Sequence, residues 1–232
     1  MGPRLSVVVP VHNEADFLPT ALPRLVAELR AFDHELLVVE NGSTDDTATV
    51  AERLLAELDE PGKVLSLATP DYGAALREGM RIASGDRIVM FDIDYFSGAF
   101  VEAALAADAD IVIASKRAEG SDDRRSLLRR TGTWGFNRLL RTLFSSSVGD
   151  THGMKVFARG VVDAQIDRVR HTTDLFDTEL VLRAERAGAT IAELPVVVEE
   201  QRDARSSFVK RVPRTLRGLR EIRSDFAAEG IL

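Results

Sequence analysis

The sequence has no cysteine among its 232 residues, and none of its apolar runs is long. Without cysteine the chain can form neither disulfides nor metal sites with thiolate ligands, and such a composition fits a reducing compartment such as the cytoplasm. No stretch approaches the ~18 apolar residues of a transmembrane helix. Pro10 interrupts the first apolar run, so no signal peptide is expected either. Any membrane contact should therefore be peripheral.

Positive charge is also in short supply over most of the chain. The net charge is −7, which argues against a general nucleic-acid-binding protein, so no nucleic-acid partner is expected. The exception is residues 202–223, which carry a net charge of +6. This asymmetry indicates that the C-terminal region has a role of its own.

Short apolar runs rich in β-branched residues alternate with segments of helical spacing. Strands are predicted at Leu5–Val9, Glu35–Val39, Val64–Leu67, Arg87–Asp92, Ile111–Ala114 and Glu193–Val198. Strands that alternate with helices predict an α/β fold with a mostly parallel sheet. Continuous apolar strands fit a sheet that is covered on both faces. With no evident linker, we predict one domain at 1–207 and a C-terminal appendage at 208–232.

The most informative motif is an apolar run that ends in Asp92 and Asp94. In open α/β sheets, ligands bind at the carboxyl ends of the strands. Two carboxylates at that place repel each other unless a cation compensates, and their hard oxygen atoms suit Mg²⁺ or Mn²⁺ bridging to substrate phosphates. The motif therefore predicts a metal–diphosphate site, although an ordinary acidic turn remains the alternative.

Polar residues follow other predicted strands as well. Pro10, His12 and Glu14 come at the end of the first strand, and Glu40 ends the second, where a carboxylate can accept hydrogen bonds from a base or ribose. Gly73 precedes a helix whose N-terminus favours anionic groups. Each motif can also be explained as a local turn or helix cap. The glycine-rich motifs of dinucleotide-binding folds and P-loops are missing.

Taken in order, these motifs resemble the inverting family 2 glycosyltransferases, and in particular the dolichyl- or polyprenyl-phosphate mannose synthases and their glucosyl relatives. The matching stretches are VVVPVHNE, ENGSTDDT, the glycine before a helix, and FDID, and the resemblance covers roughly residues 5–207. It implies a GT-A fold, a three-layer sandwich around a mostly parallel sheet. It also implies transfer of mannose or glucose from GDP-mannose or UDP-glucose to a polyprenyl or dolichyl phosphate.

The resemblance further implies roles for individual residues. Asp92 and Asp94 would hold Mg²⁺ or Mn²⁺ on the donor diphosphate, and Asp94 would act in catalysis. The nucleotide pocket would be lined by Pro10, His12, Glu14, Glu40 and Gly73. The phosphates of donor and acceptor would be bound by Lys116, Arg117, Arg129 and Thr133. Asp177 or Glu179 would be the general base if the acceptor is a hydroxyl.

Three departures from the family pattern bear on these roles. His12 replaces a frequent tyrosine, and Phe96 stands where the synthases often have a glutamine as a further metal ligand. Residues 201–207 lack the arginine, glycine and lysine of the usual Arg-x-x-Gly-x-Ser-Lys segment. A soluble hydroxyl acceptor, a sugar-phosphate nucleotidyltransferase and a non-catalytic binding module therefore stay open as alternatives.

The C-terminal segment has the pattern of a basic amphipathic helix. Its apolar residues recur at steps of three or four, and arginines occupy much of the remaining face. The apolar positions are Phe208, Val212, Leu216, Leu219, Ile222 and Phe226. Such a helix is typical of an interfacial membrane contact. It could instead pack on its own domain or on a dimer partner.

Overall fold

The computed structural model describes residues 2, 4–124, 127–151, 153–198 and 208–232, without the side chains of residues 123, 127–129, 198 and 208–211. The strands are β1 (Leu5–Val11), β2 (His34–Asn41), β3 (Gly62–Leu67), β4 (Arg87–Met90), β5 (Ile111–Ser115), β6 (Asp122–Asp123), β7 (Lys155–Ala158), β8 (Ile191–Pro195) and β9 (Val197–Val198). The helices are α1 (Leu18–Leu29), α2 (Thr47–Glu57), α3 (Tyr72–Ile82), α4 (Gly98–Ala106), α5 (Leu127–Phe144), α6 (Arg159–Gln165), α7 (Phe176–Arg186) and α8 (Phe208–Ala228).

Seven strands form one sheet in the order β3-β2-β1-β4-β7-β5-β8. All neighbours are parallel except β7, which runs antiparallel to both β4 and β5. The predicted mostly parallel sheet is confirmed. Because β7 is reversed, its first residue lies at the edge where β4 and β5 end, opposite Met90 and Ile113.

Helices cover both faces of the sheet, as the continuous apolar strands require. In β1, Val7 and Val9 point into a core shared with α1, α2 and α4, whereas Val8 points into a second core shared with α3, α6 and α7. All seven residues of β1 are buried. The three-layer arrangement follows from this two-sided burial, because each face of the sheet removes apolar surface from water only when helices cover it.

The apolar face of α8 packs on its own domain. Leu219, Ile222 and Phe226 are completely buried in a third core with Leu140 of α5 and Leu182 of α7. The second half of this helix therefore packs on its own domain, which was one of the alternatives left open by the sequence. The first half differs, since Val212 and Leu216 remain 39% and 38% exposed. The predicted boundary at 207 falls outside the described residues.

An ion pair joins Arg183 of α7 to Glu229, just after the end of α8, and a second, buried pair holds Arg183 within α7. The Arg183 guanidinium lies 2.7 Å from Glu179 in α7 and 2.7 Å from Glu229 just after α8, and it stacks 4.8 Å from the ring centroid of Phe226. These contacts fix the C-terminal helix against the domain. No described helix combines the length and the apolarity needed to cross a membrane.

The structure corrects several local predictions. The strand predicted at Glu193–Val198 is divided, because β9 leaves the main sheet to pair with β6. Pro195 ends β8, which is physically reasonable because proline lacks the N–H that would continue the ladder. Helix α6 was not predicted, since its seven residues are too few to show a clear periodicity.

Candidate active site

Asp92 and Asp94 lie on a tight turn that follows β4. The chain continues along β1 for one more residue, with Phe91 N–H donating to the Val8 carbonyl at 3.1 Å. The turn is closed by Tyr95 N–H, which donates to the Asp92 carbonyl at 2.9 Å. Ile93, between the two aspartates, is buried. The two aspartates, which flank this buried residue, are themselves half-buried.

Tyr72, the first residue of α3, donates a hydrogen bond from its hydroxyl to Asp92 Oδ1 at 3.2 Å. Burial and the negative charge of Asp94 raise the pKa of Asp92. Burial and the charge of Asp92 raise the pKa of Tyr72 well above its ordinary value, so the hydroxyl remains protonated. The tyrosine thus fixes the orientation of one carboxylate as a neutral donor.

A buried cation completes this cluster. Lys155, the fully buried first residue of β7, places Nζ 2.8 Å from Asp177 Oδ2 and 3.0 Å from the Gly153 carbonyl. The positive charge of Lys155 lowers the pKa of Asp92, against the effect of burial. Asp92, Asp94, Asp177 and Lys155 therefore form one electrostatic unit at the carboxyl edge of the sheet.

A basic cavity adjoins the acidic cluster. It has a volume of about 400 Å³ and is lined by Lys116, Arg117, Ser121, Arg130, Thr131, Thr133 and Trp134. Lys116 Nζ also lies 3.3 Å from Asp150 Oδ2. The predicted phosphate-binding residues Lys116, Arg117 and Thr133 are thus brought together.

Gly153 lies at the junction of the acidic cluster and the basic cavity. A Cβ on this residue would be 3.4 Å from Lys116 Nζ and 3.5 Å from Tyr95 Cε1, and its φ is +106°, a conformation that favours glycine. Its carbonyl accepts from Lys155. The cluster and the cavity are therefore parts of one cleft.

The predicted nucleotide-pocket residues on β1 and β2 form a separate network at the same edge. Pro10 lies in β1 opposite Val39, and a ring nitrogen of His12 lies 2.8 Å from the Asn41 carbonyl. Glu14 is buried, with its N–H donating to Thr47 Oγ1 at 2.8 Å.

Glu40 lies at the end of β2, where one of its oxygens accepts the Ser43 N–H in its own turn. A hydrogen bond from a base or ribose would therefore be accepted by the other carboxylate oxygen of Glu40. This role stays a prediction.

The start of α3 is tied to this network. Asn41 Oδ1 accepts the Asp71 N–H at 2.6 Å, and Asp71 caps the helix by accepting the Ala74 N–H at 3.1 Å. A Cβ on Gly73 would lie 2.2 Å from the Thr172 carbonyl oxygen and 2.7 Å from the Phe176 Cβ. The glycine is required here by the approach of the segment that leads into α7. Its predicted contact with the nucleotide is not tested by this packing.

Replacing Asp71 with alanine is expected to lower the free energy of unfolding by about 1 kcal/mol, because the α3 cap is lost. It should also weaken binding of the donor nucleotide that the sequence leads us to expect, since α3 presents Tyr72 to Asp92. Ser97→Ala is the matched control, because Ser97 caps α4 in the same way, accepting the Phe100 N–H at 3.2 Å. Urea unfolding should show similar losses for both variants, and equal donor affinities would contradict a link between the cap and the site.

Two predicted residues lie apart from the cluster or outside the described part of the chain. The Glu179 carboxylate is fully buried and binds Arg183 together with the N–H groups of Arg170 and His171, at 3.1 Å and 2.8 Å. Its observed contacts are those of a structural carboxylate. The Arg129 side chain and residues 201–207 lie outside the described residues, so the predictions made on them stay predictions.

Sequence reasoning missed Tyr72 and Lys155. Tyr72 stands beside the glycine already singled out, but its partner lies 20 residues further along the chain. Lys155 begins a short apolar strand, and a lysine at that place would ordinarily be expected at the surface. Only the sheet order, with β7 between β4 and β5, explains its burial.

Residues 6–165 match the glycosyl transferase family 2, and the chain belongs to this family. The predicted family is thereby confirmed. Over 221 residues the chain is 30% identical to the glycosyltransferase AglD of Haloferax volcanii, covering 91% of this chain and 35% of AglD. It is 28% identical to the undecaprenyl-phosphate 4-deoxy-4-formamido-L-arabinose transferase of Klebsiella pneumoniae, covering 90% of this chain and 64% of that protein. The chain thus spans between a third and two thirds of these relatives.

Two solved structures share the fold. The mannosyltransferase PcManGT from Pyrobaculum calidifontis, in complex with GDP-Man and Mn²⁺, superposes with a TM-score of 0.65 at 22% identity, covering 92% of this chain and 61% of that one. Glucosyl-3-phosphoglycerate synthase from Mycobacterium tuberculosis, in complex with Mn²⁺, UDP and phosphoglyceric acid, superposes with a TM-score of 0.70 at 21% identity. The match covers 95% of this chain and 77% of the synthase. The predicted GT-A fold is confirmed.

Proposed function

We propose that this chain is a metal-dependent, inverting hexosyltransferase that moves mannose or glucose from a nucleotide-diphosphate sugar to a lipid phosphate. The observation that carries the proposal is the meeting, at Gly153, of an acidic cluster with a basic cavity at the carboxyl edge of the sheet. A donor diphosphate with its cation suits the acidic side, and an anionic acceptor suits the basic side. Membership of family 2 favours this reading over a nucleotidyltransferase.

Asp92 and Asp94 are suited to hold Mg²⁺ or Mn²⁺. Burial and the charge of Asp94 raise the pKa of Asp92, and a divalent cation would relieve the repulsion between the two carboxylates. No group of three or more metal-binding side chains occurs within the described ranges, so the remaining ligands would be water and donor phosphates, as is common for Mg²⁺. The bound cation would supply charge neutralisation for the departing nucleoside diphosphate. PcManGT and the synthase both bind Mn²⁺ with a nucleotide.

The hydrogen bonds of Asp177 favour a phosphate acceptor over a hydroxyl acceptor. Its Oδ2 accepts from Lys155 at 2.8 Å and its Oδ1 accepts the Thr178 N–H at 2.8 Å, so both oxygens are already engaged. A hydroxyl acceptor needs a base to remove its proton, whereas a phosphate is anionic near neutral pH. The name of the Klebsiella pneumoniae relative, an undecaprenyl-phosphate transferase, supports a polyprenyl phosphate.

In this scheme the chain's own groups bind and orient. Lys116, Arg117 and Thr133 hold the acceptor phosphate, for which the guanidinium fork is well suited. An acceptor oxygen then attacks the anomeric carbon on the side opposite the diphosphate, the carbon inverts, and the nucleoside diphosphate leaves. Arg129 is proposed to contact one of the phosphates.

A thermal-shift experiment with GDP-mannose and UDP-glucose tests the donor assignment. With Mn²⁺ present and one donor at about 100 times its dissociation constant, the stabilisation should be about 2.7 kcal/mol. For a chain of this size that corresponds to a rise in Tm of about 5–10 °C. The same donor without cation should give a much smaller rise. Equal shifts with and without Mn²⁺ would refute the metal assignment.

Transfer assays with matched lipids test the acceptor. Polyprenyl phosphate and the corresponding polyprenol differ only in the phosphate, so product should form with the first and not with the second. The released product should be the nucleoside diphosphate. Release of pyrophosphate, or glycosylation of the polyprenol, would contradict the proposal.

A further inference from the structure

Helix α5 carries one exposed face of arginines around the chain's single tryptophan. Four residues of this face recur at steps of four, four and three, so they lie along one side of the helix: Arg130, Trp134, Arg138 and Arg141. Trp134 is 54% exposed, and the Arg138 guanidinium lies 6.0 Å from its ring centroid. Arg117, exposed after β5, joins this face by lining the same cavities. These five residues are called the α5 surface below.

The arginines of the α5 surface have no carboxylate within ion-pair distance among the residues that the structure describes. Two arginines elsewhere show the contrast: Arg214 on α8 lies 2.9 Å from Asp174, and Arg170 lies 2.9 Å from Asp225. Four arginines that have no carboxylate partner among the described side chains lie beside one tryptophan, and in a chain whose net charge is −7 they are complementary to an anionic partner.

The shape of the α5 surface suits phosphate headgroups. A cavity of about 210 Å³ opens on it, lined by Arg117, Trp134, Asn137, Arg138, Arg141 and Thr142. It shares Arg117 and Trp134 with the larger basic cavity in which we placed the acceptor phosphate. The exposed surface and the acceptor cavity are thus continuous.

We propose that the α5 surface docks on the anionic face of a lipid bilayer, with Trp134 at the interface and the arginines on headgroup phosphates. Tryptophan favours this depth because its ring is apolar and its N–H is polar, and arginines near an anionic bilayer are attracted to it. This inference rests on the proposed lipid acceptor, whose phosphate would enter the cavity from the bilayer. The proposal places the membrane contact on α5, whereas the sequence suggested α8, whose apolar face is largely covered within the chain.

Because Trp134 is the only tryptophan, its fluorescence reports on the α5 surface alone. Vesicles of mixed phosphatidylglycerol and phosphatidylcholine, without any polyprenyl phosphate, should shift its emission to shorter wavelength. Pure phosphatidylcholine vesicles and inorganic phosphate at the same phosphate concentration should not. The shift should weaken as salt is raised, since screening reduces the attraction.

Co-sedimentation of variants with the same anionic vesicles locates the contact. Arg138→Gln with Arg141→Gln should weaken vesicle binding about 25-fold, at about fivefold per arginine. Arg217→Gln with Arg220→Gln tests α8, and this pair should change binding less than twofold, roughly, because these arginines lie outside the α5 surface. Arg30→Gln with Arg53→Gln removes the same charge from the end of α1 and from α2, in the opposite layer, and controls for net charge.

The proposal is overturned if anionic vesicles leave Trp134 emission unchanged, if inorganic phosphate alone reproduces the shift, or if the α8 pair rather than the α5 pair abolishes binding. Donor binding distinguishes this failure from failure of the proposed function, because the Mn²⁺-dependent thermal shift requires no lipid. If the protein binds donor and cation but does not bind vesicles, the docking proposal is refuted and the proposed function stands.

Discussion

Replacing both Asp92 and Asp94 with asparagine is expected to reduce sugar transfer by about three orders of magnitude. The two carboxylates are the proposed holders of the cation, and cation stabilisation of a departing diphosphate is worth several kcal/mol, with each 1.4 kcal/mol equal to about tenfold in rate. Asparagine keeps the shape of the side chain and can still accept the Tyr72 hydrogen bond, so the fold should persist. Single-turnover transfer rates, measured over a Mn²⁺ titration, check the prediction.

The matched control removes two carboxylates that play no part in the site. Asp108→Asn with Asp163→Asn changes the net charge equally at exposed positions. This control should keep both the transfer rate and the Mn²⁺ dependence of donor binding. Unchanged turnover in the Asp92/Asp94 variant would remove the metal assignment, whereas loss in both variants would point to a general effect of charge.

Replacing Lys155 with methionine is expected to lower the free energy of unfolding by about 3–5 kcal/mol, the usual cost of leaving one partner of a buried ion pair alone. Lys155 is fully buried and Asp177 is 4% exposed, so bulk water has little access to either charge. The substitution also removes a positive charge that lowers the pKa of Asp92. Urea unfolding, analysed at constant m-value, measures the change.

A double-mutant cycle separates the ion pair from simple packing. Asp177→Asn in the Lys155→Met background should recover a large part of the lost stability, because the uncompensated carboxylate is then gone. Asp177→Asn alone should be destabilising, since it leaves the lysine unpaired. If the two single losses simply add in the double variant, Lys155 and Asp177 are not energetically coupled and the proposed electrostatic unit is wrong.

Much of the fold could be predicted because the parallel strands are apolar from end to end. Val7, Val8 and Val9 must all be buried, and that requires helices on both faces of the sheet. The direction of β7 could not be predicted. Four residues of a short strand do not say whether they run with or against their neighbours, and the decision rests on pairings with β4 and β5 that are distant in sequence. Helix α8 was predicted correctly as amphipathic, but the surface that covers it comes mainly from α5 and α7, which are distant in sequence.

The candidate site was predictable only where its chemistry is local. Asp92 and Asp94 are two residues apart, so the motif can be seen in the sequence itself. The Tyr72 hydrogen bond and the Lys155–Asp177 pair join residues that are 20 and 22 positions apart. Their roles depend on burial and on which strand ends meet at one edge. Only the three-dimensional arrangement shows that the Lys155 ammonium group lies among these carboxylates.

The place of β7 between β4 and β5 has a consequence for a chain emerging from the ribosome. When Ser115 has been made, β4 still exposes an edge and β5 has no neighbour, because both bind β7. The missing strand follows about 40 residues later, which corresponds to roughly two to eight seconds of translation at ordinary rates. Over that interval an apolar edge stays open to other chains. Synthesis of Lys155 therefore supplies the cluster with its cation and also begins the strand that closes this edge.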